Sequence, residues 1–252
     1  MCTILTIAGQ EGGSGKTAIA VNLAASLALL EKKTLIVDCD PRGCATSAVL
    51  ENHKIQCDLS SVFSGRVKLM DAVINAAPAF LRVLPANFSL FHAATRLSCT
   101  PGNEKILRIL LDEIKGQYDY IIIDPPSSFS FMTTTAMAAS NWLLIPFSGN
   151  YSSFAEFKTL LKMVRYIDRQ FNIHLKISGL VLNRCSVRQK EYFTTCREFK
   201  DIRDIVYNTC IPWDNMISSC AESGRPAALC DLDCPGAKAC LNLAREVCSF
   251  FR

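Results

Sequence analysis

Thr3-Ile4-Leu5-Thr6-Ile7-Ala8-Gly9-Gln10-Glu11-Gly12-Gly13-Ser14-Gly15-Lys16-Thr17 passes from an apolar strand pattern, through closely spaced glycines, into an apolar helix pattern. Strand, glycine-rich turn and helix, in that order, are what a phosphate-holding loop requires. Gly12, Gly13 and Gly15 let the backbone wrap tightly, so that successive N–H groups point inward as an anion nest. The N-terminus of the following helix adds its positive end. Lys16 would then reach the β- and γ-phosphates of ATP, and Thr17 would bind Mg²⁺ through its hydroxyl. The usual spacing of such a loop opens with glycine where this chain has Gln10.

Two other strand patterns end in acid. Leu35-Ile36-Val37 leads into Asp38-Cys39-Asp40-Pro41, and Tyr120-Ile121-Ile122-Ile123 into Asp124-Pro125-Pro126. A carboxylate at the tip of a buried apolar strand, beside a phosphate loop, suits a magnesium ion held directly or through water. Asp124 fits that role best, with Asp38 supporting the metal shell or Lys16. Asp40 would orient or deprotonate the attacking water. The plain alternative for these acids is turn chemistry, because Asp-Pro commonly opens a turn.

Outward from these motifs, strand patterns fall at 3–8, 34–38, 81–85, 120–124, 142–146, 176–182 and 207–211. Helix patterns fall at 15–31, 103–115, 153–170, 188–205 and 236–250. Such alternation predicts an α/β fold, a mostly parallel twisted sheet with helices on both faces, with ligands at the carboxyl ends of the strands. The 252 residues suit a single domain over 1–252, and the half that are hydrophobic can fill its core.

A formal net charge of +4 permits an anionic partner without requiring one. There are 13 cysteines, an odd number, so a monomer cannot pair them all. The opening Met1-Cys2-Thr3-Ile4-Leu5 has no basic leader, and with a nucleotide site in view the thiols are read as mostly reduced and the chain as cytoplasmic. The longest apolar run, 18–30, is short of the roughly 20 residues a bilayer needs, so no transmembrane segment is expected. Cys220, Cys230, Cys234 and Cys240 cluster late but lack the C-x-x-C spacing of zinc or iron–sulfur sites.

Taken together the motifs resemble the ParA/MinD family of deviant Walker A ATPases, P-loop NTPases of the SIMIBI type. The family loop K-G-G-x-G-K-T compares with Glu11-Gly12-Gly13-Ser14-Gly15-Lys16-Thr17. D-x-D-P-Q-G compares with Asp38-Cys39-Asp40-Pro41-Arg42-Gly43, and I-I-D-x-P-P with Ile122-Ile123-Asp124-Pro125-Pro126. Leu84-Pro85-Ala86, Ile211-Pro212, Gly224-Arg225-Pro226 and the closing 236–246 segment also resemble family positions. The resemblance implies a slow, partner-stimulated ATPase with Lys16 and Asp40 as its catalytic residues. It implies ATP held by Gly12, Gly13, Ser14, Gly15, Lys16, Thr17, Ala18, Asn183, Arg184 and Pro212, and Mg²⁺ held by Thr17, Asp38 and Asp124. It further implies an ATP-dependent homodimer, a stimulating partner protein, non-specific DNA as the surface and a nucleoid-associated location. The output would be the positioning or segregation of a plasmid, a chromosome or a protein assembly.

The chain departs from the family at two places. The lysine that reaches across the family's dimer is replaced by Glu11, a charge reversal, and Arg42 and Lys158 are candidates to supply the missing charge. Where relatives carry arginines after the I-P dipeptide, this chain has Trp213 and Met216. Its remaining basic residues, Arg184, Arg188, Lys190, Arg197, Lys200 and Arg203, alternate with acids and read equally as a solvated helix face. No amphipathic tail is expected after Phe250-Phe251-Arg252, and the two phenylalanines should pack on the core. An ATP-binding adaptor with little hydrolysis, or an ATP-dependent ligase of the same fold, stays open beside the ATPase.

Overall fold

Apolar runs bounded by polar turns become eight strands of one sheet. A computed structural model of the chain describes residues 2–9, 13–51, 54–148, 151–171 and 174–251. The strands are β1 (Thr3–Ile7), β2 (Thr34–Asp38), β3 (Ile74–Asn75), β4 (Leu81–Leu84), β5 (Tyr120–Asp124), β6 (Trp142–Phe147), β7 (Lys176–Asn183) and β8 (Val206–Ile211). Their spatial order is β3-β4-β2-β5-β1-β6-β7-β8. Every pairing is parallel except that of the short β3, which runs antiparallel to β4 on the edge.

The helices are α1 (Lys16–Leu29), α2 (Cys44–Ser47), α3 (Leu59–Phe63), α4 (Leu69–Ala72), α5 (Ser89–Ser98), α6 (Ile106–Ile114), α7 (Phe131–Ala139), α8 (Tyr151–Phe171), α9 (Val187–Thr195), α10 (Asn215–Glu222), α11 (Ala227–Cys230) and α12 (Pro235–Phe250). The pleat explains how they divide. Leu5, Ile7 and Ile122 point to the face covered by α1 and α12. Ile4, Ile121 and Ile123 point to the face covered by α3, α5, α6 and α7. A third cluster packs α8 and α9 on Leu143, Ile145 and Leu182. With both faces dry, strand positions are mostly apolar, which is why the middle of β5 is a run of three isoleucines. The expected α/β architecture, helices on both faces of a mostly parallel sheet, is the one observed.

The helix expected over 188–205 is corrected. α9 ends at Thr195, Cys196 is extended (φ −66°, ψ 128°), and two short 3₁₀ turns follow at Arg197–Phe199 and Arg203–Ile205. Phe193 and Phe199 are both buried and stack at 4.8 Å. Residues six apart lie on different faces of one continuous helix, so burying both requires the chain to bend. The basic residues of 188–203 therefore do not share a helix face.

α7 is a helix that the pattern did not show. Its Met132-Thr133-Thr134-Thr135 run has weak helix propensity, but burial of Thr135 and Ala136 and the Ser130 cap decide otherwise. At the C-terminus Trp142 packs edge-on against Phe250 and Phe251, at 5.4 and 5.2 Å between centroids. Phe251 joins the core beneath α12, whereas Phe250 stays half exposed.

Candidate functional site

The carboxyl ends of the central strands converge on the N-terminus of α1. Gln10, Glu11 and Gly12 lie outside the described residues, so the described part of the loop begins at Gly13. Gly13 (φ 84°) and Gly15 (φ 87°) are both left-handed, a conformation that asks for glycine. Gly15 has a second reason to lack a side chain, since a Cβ there would collide with the Asn183 amide.

That close approach is part of a stitch between the loop and the tip of β7. Asn183 Nδ2 donates to the Ser14 carbonyl at 2.6 Å, and Arg184 donates to the Gly13 carbonyl at 3.0 Å. Arg184 has φ 54°, an uncommon conformation for an arginine, and its guanidinium lies 4.8 Å from the Trp213 ring centroid. Lys16 is buried, with Nζ donating to Ser14 Oγ at 3.4 Å.

Beyond the loop lies a small cleft of about 60 Å³ lined by Gly15, Ala18, Asn183, Arg184, Pro212 and Trp213, among others. The residues expected to bind the base side of ATP are thus brought together, although 183 and 212 are remote from the loop in sequence. Trp213, two-thirds exposed at the rim, is a lining residue that sequence reasoning treated only as a missing arginine.

On the other flank sit three acids. β2 and β5 run in register, so that Asp38 pairs with Asp124. Asp38 is wholly buried, and both its oxygens are occupied. Oδ2 accepts from Thr46 N at 2.8 Å and Thr46 Oγ1 at 2.7 Å, and Oδ1 accepts from Asp40 N at 3.0 Å. Burial raises its pKa to about 6 in spite of those bonds. Asp124 is equally buried, yet neither oxygen has a hydrogen-bond partner among the described residues. Burial, then the neighbouring Asp38 charge, pushes its pKa well above the carboxylate range; Thr17 and Lys16 act in the opposite direction.

A buried, unpartnered carboxylate beside a threonine hydroxyl fits a hard divalent cation, which takes oxygen ligands and keeps several waters. Among the described residues no group of three or more His, Cys, Asp or Glu side chains is arranged to hold a metal. A cation at Asp124 would therefore complete its shell with phosphate and water.

Asp40 is buried and gripped by Arg42, with Nη2 2.7 Å from Oδ2. Thr46, which holds Asp38, and the Ala86 N–H, which donates to Thr46 Oγ1 at 2.9 Å, left no signal in the sequence. The other candidate cation, Lys158, sits 4.4 Å from the Phe154 ring centroid. All 13 cysteines are free thiols.

A family model described as an AAA domain (AAA_31) matches residues 2–177. The sporulation initiation inhibitor protein Soj of Bacillus subtilis is 34% identical over 249 residues, covering 98% of this chain and 98% of that protein. The chromosome partitioning protein ParA of Caulobacter vibrioides is 32% identical, covering 98% of this chain and 94% of its own length. The solved structure of the septum site-determining protein MinD from Pyrococcus horikoshii, complexed with Mg-ADP, is similar with a TM-score of 0.82. It is 25% identical and the match covers 98% of this chain and 96% of that one.

Proposed function

The chain belongs to the ParA/MinD family of P-loop ATPases, and on that premise we propose that it is an ATP-driven switch that positions or segregates a cellular cargo. The observation that carries the reading is the bare Asp124 carboxylate, buried beside Thr17 and Lys16 at the start of α1. Gly13, Ser14, Gly15 and Lys16 would cradle the phosphates, with Gly12 completing the loop. Asn183, Arg184, Pro212 and Ala18 would hold the base side.

Thr17 and Asp124 would hold Mg²⁺, while Asp38, its own oxygens occupied, would keep the Asp38–Thr46 corner rigid beneath them. A divalent cation held by Thr17 and Asp124 would supply positive charge against the negative charge that develops on the phosphate. Asp40 orients the attacking water, and Lys16 stabilises the transferring phosphoryl group.

The switch would work as an ATP-dependent homodimer released by a stimulating partner protein. Non-specific DNA is the proposed surface, with a location on the nucleoid. Support comes from Lys190, Lys238 and Arg245, which line one groove between β8 and α12 with Glu246 among them; Lys238 would exchange its Asp233 partner for a phosphate. Phosphate contacts of that kind carry no sequence preference and weaken with salt. Among the described residues no helix is long and apolar enough to cross a membrane.

The test is ATP turnover with and without DNA for the wild type, Lys16→Ala and Asp40→Ala. The wild type should turn over slowly, Lys16→Ala should fail to bind nucleotide, and Asp40→Ala should bind without turnover. Absence of wild-type turnover under every condition would instead indicate a binding adaptor. Product formed from a small carboxylate substrate would indicate a ligase.

A further inference from the structure

Arg42 occupies the motif position where the resembled pattern has glutamine, and its guanidinium is engaged with the residue assigned to the water. Nε donates to Oδ1 and Oδ2 of Asp40 at 3.2 and 3.1 Å, and Nη2 to Oδ2 at 2.7 Å. The Arg42 backbone N–H adds a bond of 2.9 Å to Oδ1. An ionised carboxylate offers about four lone-pair sites. Arg42 alone reaches both oxygens, so Asp40 is poorly placed to receive a water O–H while the pair holds.

The two partners differ in how they are held. The Asp40 side chain is 4% exposed and set in the loop after β2, whereas the Arg42 side chain is 66% exposed. The arginine can therefore leave without disturbing the core, and the aspartate cannot. Where it would go is set by charge. At the base side of the site Arg184 is committed to the Gly13 carbonyl and Trp213, and Lys16 is buried under the loop. Arg42 lies at the acidic end, in the loop after β2, whose last residue Asp38 is the register partner of Asp124. A terminal phosphate placed there carries more charge than a carboxylate and accepts the same planar fork.

We propose that Arg42 is a sensor of the γ-phosphate: it exchanges Asp40 for the terminal phosphate of a bound nucleoside triphosphate, and so releases Asp40 to orient water only when a triphosphate is present. This deepens the ATPase reading and rests on it. In the step itself the water oxygen forms a bond to the γ-phosphorus. The bond from that phosphorus to the bridging oxygen breaks, with its electron pair leaving on the diphosphate, and the water proton ends on the released phosphate. A nucleoside diphosphate places no phosphate at the γ position to draw Arg42 away, so the Arg42–Asp40 pair stays closed in that state.

The experiment uses the full chain with Mg²⁺. Affinities for fluorescent ADP and for a fluorescent non-hydrolysable ATP analogue are measured beside steady-state ATP turnover, for the wild type, Arg42→Gln and Arg42→Lys. Arg42→Gln should bind ADP within about twofold of wild type, yet lose roughly tenfold or more in affinity for the triphosphate and in kcat, the order expected of one charge-assisted bond. Arg42→Lys should recover part of the triphosphate affinity, and less of kcat, because it keeps the charge and loses the fork.

Equal loss of ADP and triphosphate affinity in both variants would overturn the proposal and mark a structural role. Triphosphate affinity and kcat both within twofold of wild type would overturn it as a mere surface pair. Lys16→Ala serves as the control for the premise. If that variant bound both nucleotides as the wild type does, the ATP site itself would be wrong, whatever Arg42 showed.

Discussion

Asp38 and Asp124 are register partners on adjacent parallel strands, and they are held in opposite ways. Asp38 accepts three hydrogen bonds, while both oxygens of Asp124 are without a partner at bonding distance among the described residues. Two carboxyls so close and so buried resist being ionised together. The protein satisfies Asp38 with hydrogen bonds, and burial favours the neutral form of Asp124.

Asp124 links the stability of the fold to pH. Its pKa is raised in the folded state, so the stability it allows is complete below the unfolded value near pH 4 and declines as pH rises through the folded value. At neutral pH and without nucleotide, Asp124→Asn should therefore raise the thermal midpoint, by about 2–4 °C for each kcal/mol relieved. The same variant should lose most of the stabilisation that Mg-ATP gives the wild type. Thermal unfolding with and without Mg-ATP reads both effects; a lower midpoint for the nucleotide-free variant would count against the account.

The Thr46 hydroxyl donates to Asp38 and accepts from the Ala86 N–H, joining the β2 tip to the segment after β4. Thr46→Val keeps the shape and leaves both groups buried without that partner. A loss of about 2–3 kcal/mol is expected by denaturant titration, from the desolvation of unsatisfied groups. Thr46→Ser should restore most of it.

Strain and collision can be separated at Gly15. Gly15→Ala meets the Asn183 amide and also forces a left-handed alanine. Adding Asn183→Ala removes the collision and keeps the strain. The double variant should regain part of the lost stability but not nucleotide affinity, since the Asn183 bond to Ser14 is gone. Full recovery of stability would mean that the backbone conformation costs nothing, against the roughly 1–3 kcal/mol expected of such a residue.

In the groove at β8 and α12, Lys238→Ala and Arg245→Ala should each weaken non-specific DNA binding and lower the slope of log affinity against log salt by about one. Unchanged slopes in an anisotropy titration would move the DNA surface elsewhere.

Much of the site was legible because its chemistry is local. A glycine-rich turn before Lys16 and Thr17, and an acid closing an isoleucine strand, state their backbone and charge requirements within a few residues. The pairing of Arg42 with Asp40 is equally local, yet the motif alone did not show it, because side-chain direction depends on how the loop after β2 is folded. The 188–205 segment misled for a related reason. Its helical periodicity is real, but burial of Phe193 and Phe199 against Phe147 outweighed it.

From the sequence alone came the alternating elements, the two dry faces of the sheet and the place of the candidate phosphate loop, since apolar period and glycine placement act between near neighbours. Only the tertiary structure decided which aspartate is satisfied and which is bare. That choice was made by Thr46, a residue with no motif of its own, reaching Asp38 but not Asp124. It likewise decided that Asn183, 169 residues further along the chain, would close on Ser14. Contacts of this kind arise when distant segments are packed to the same strand tips, and no local pattern encodes which atoms will meet there.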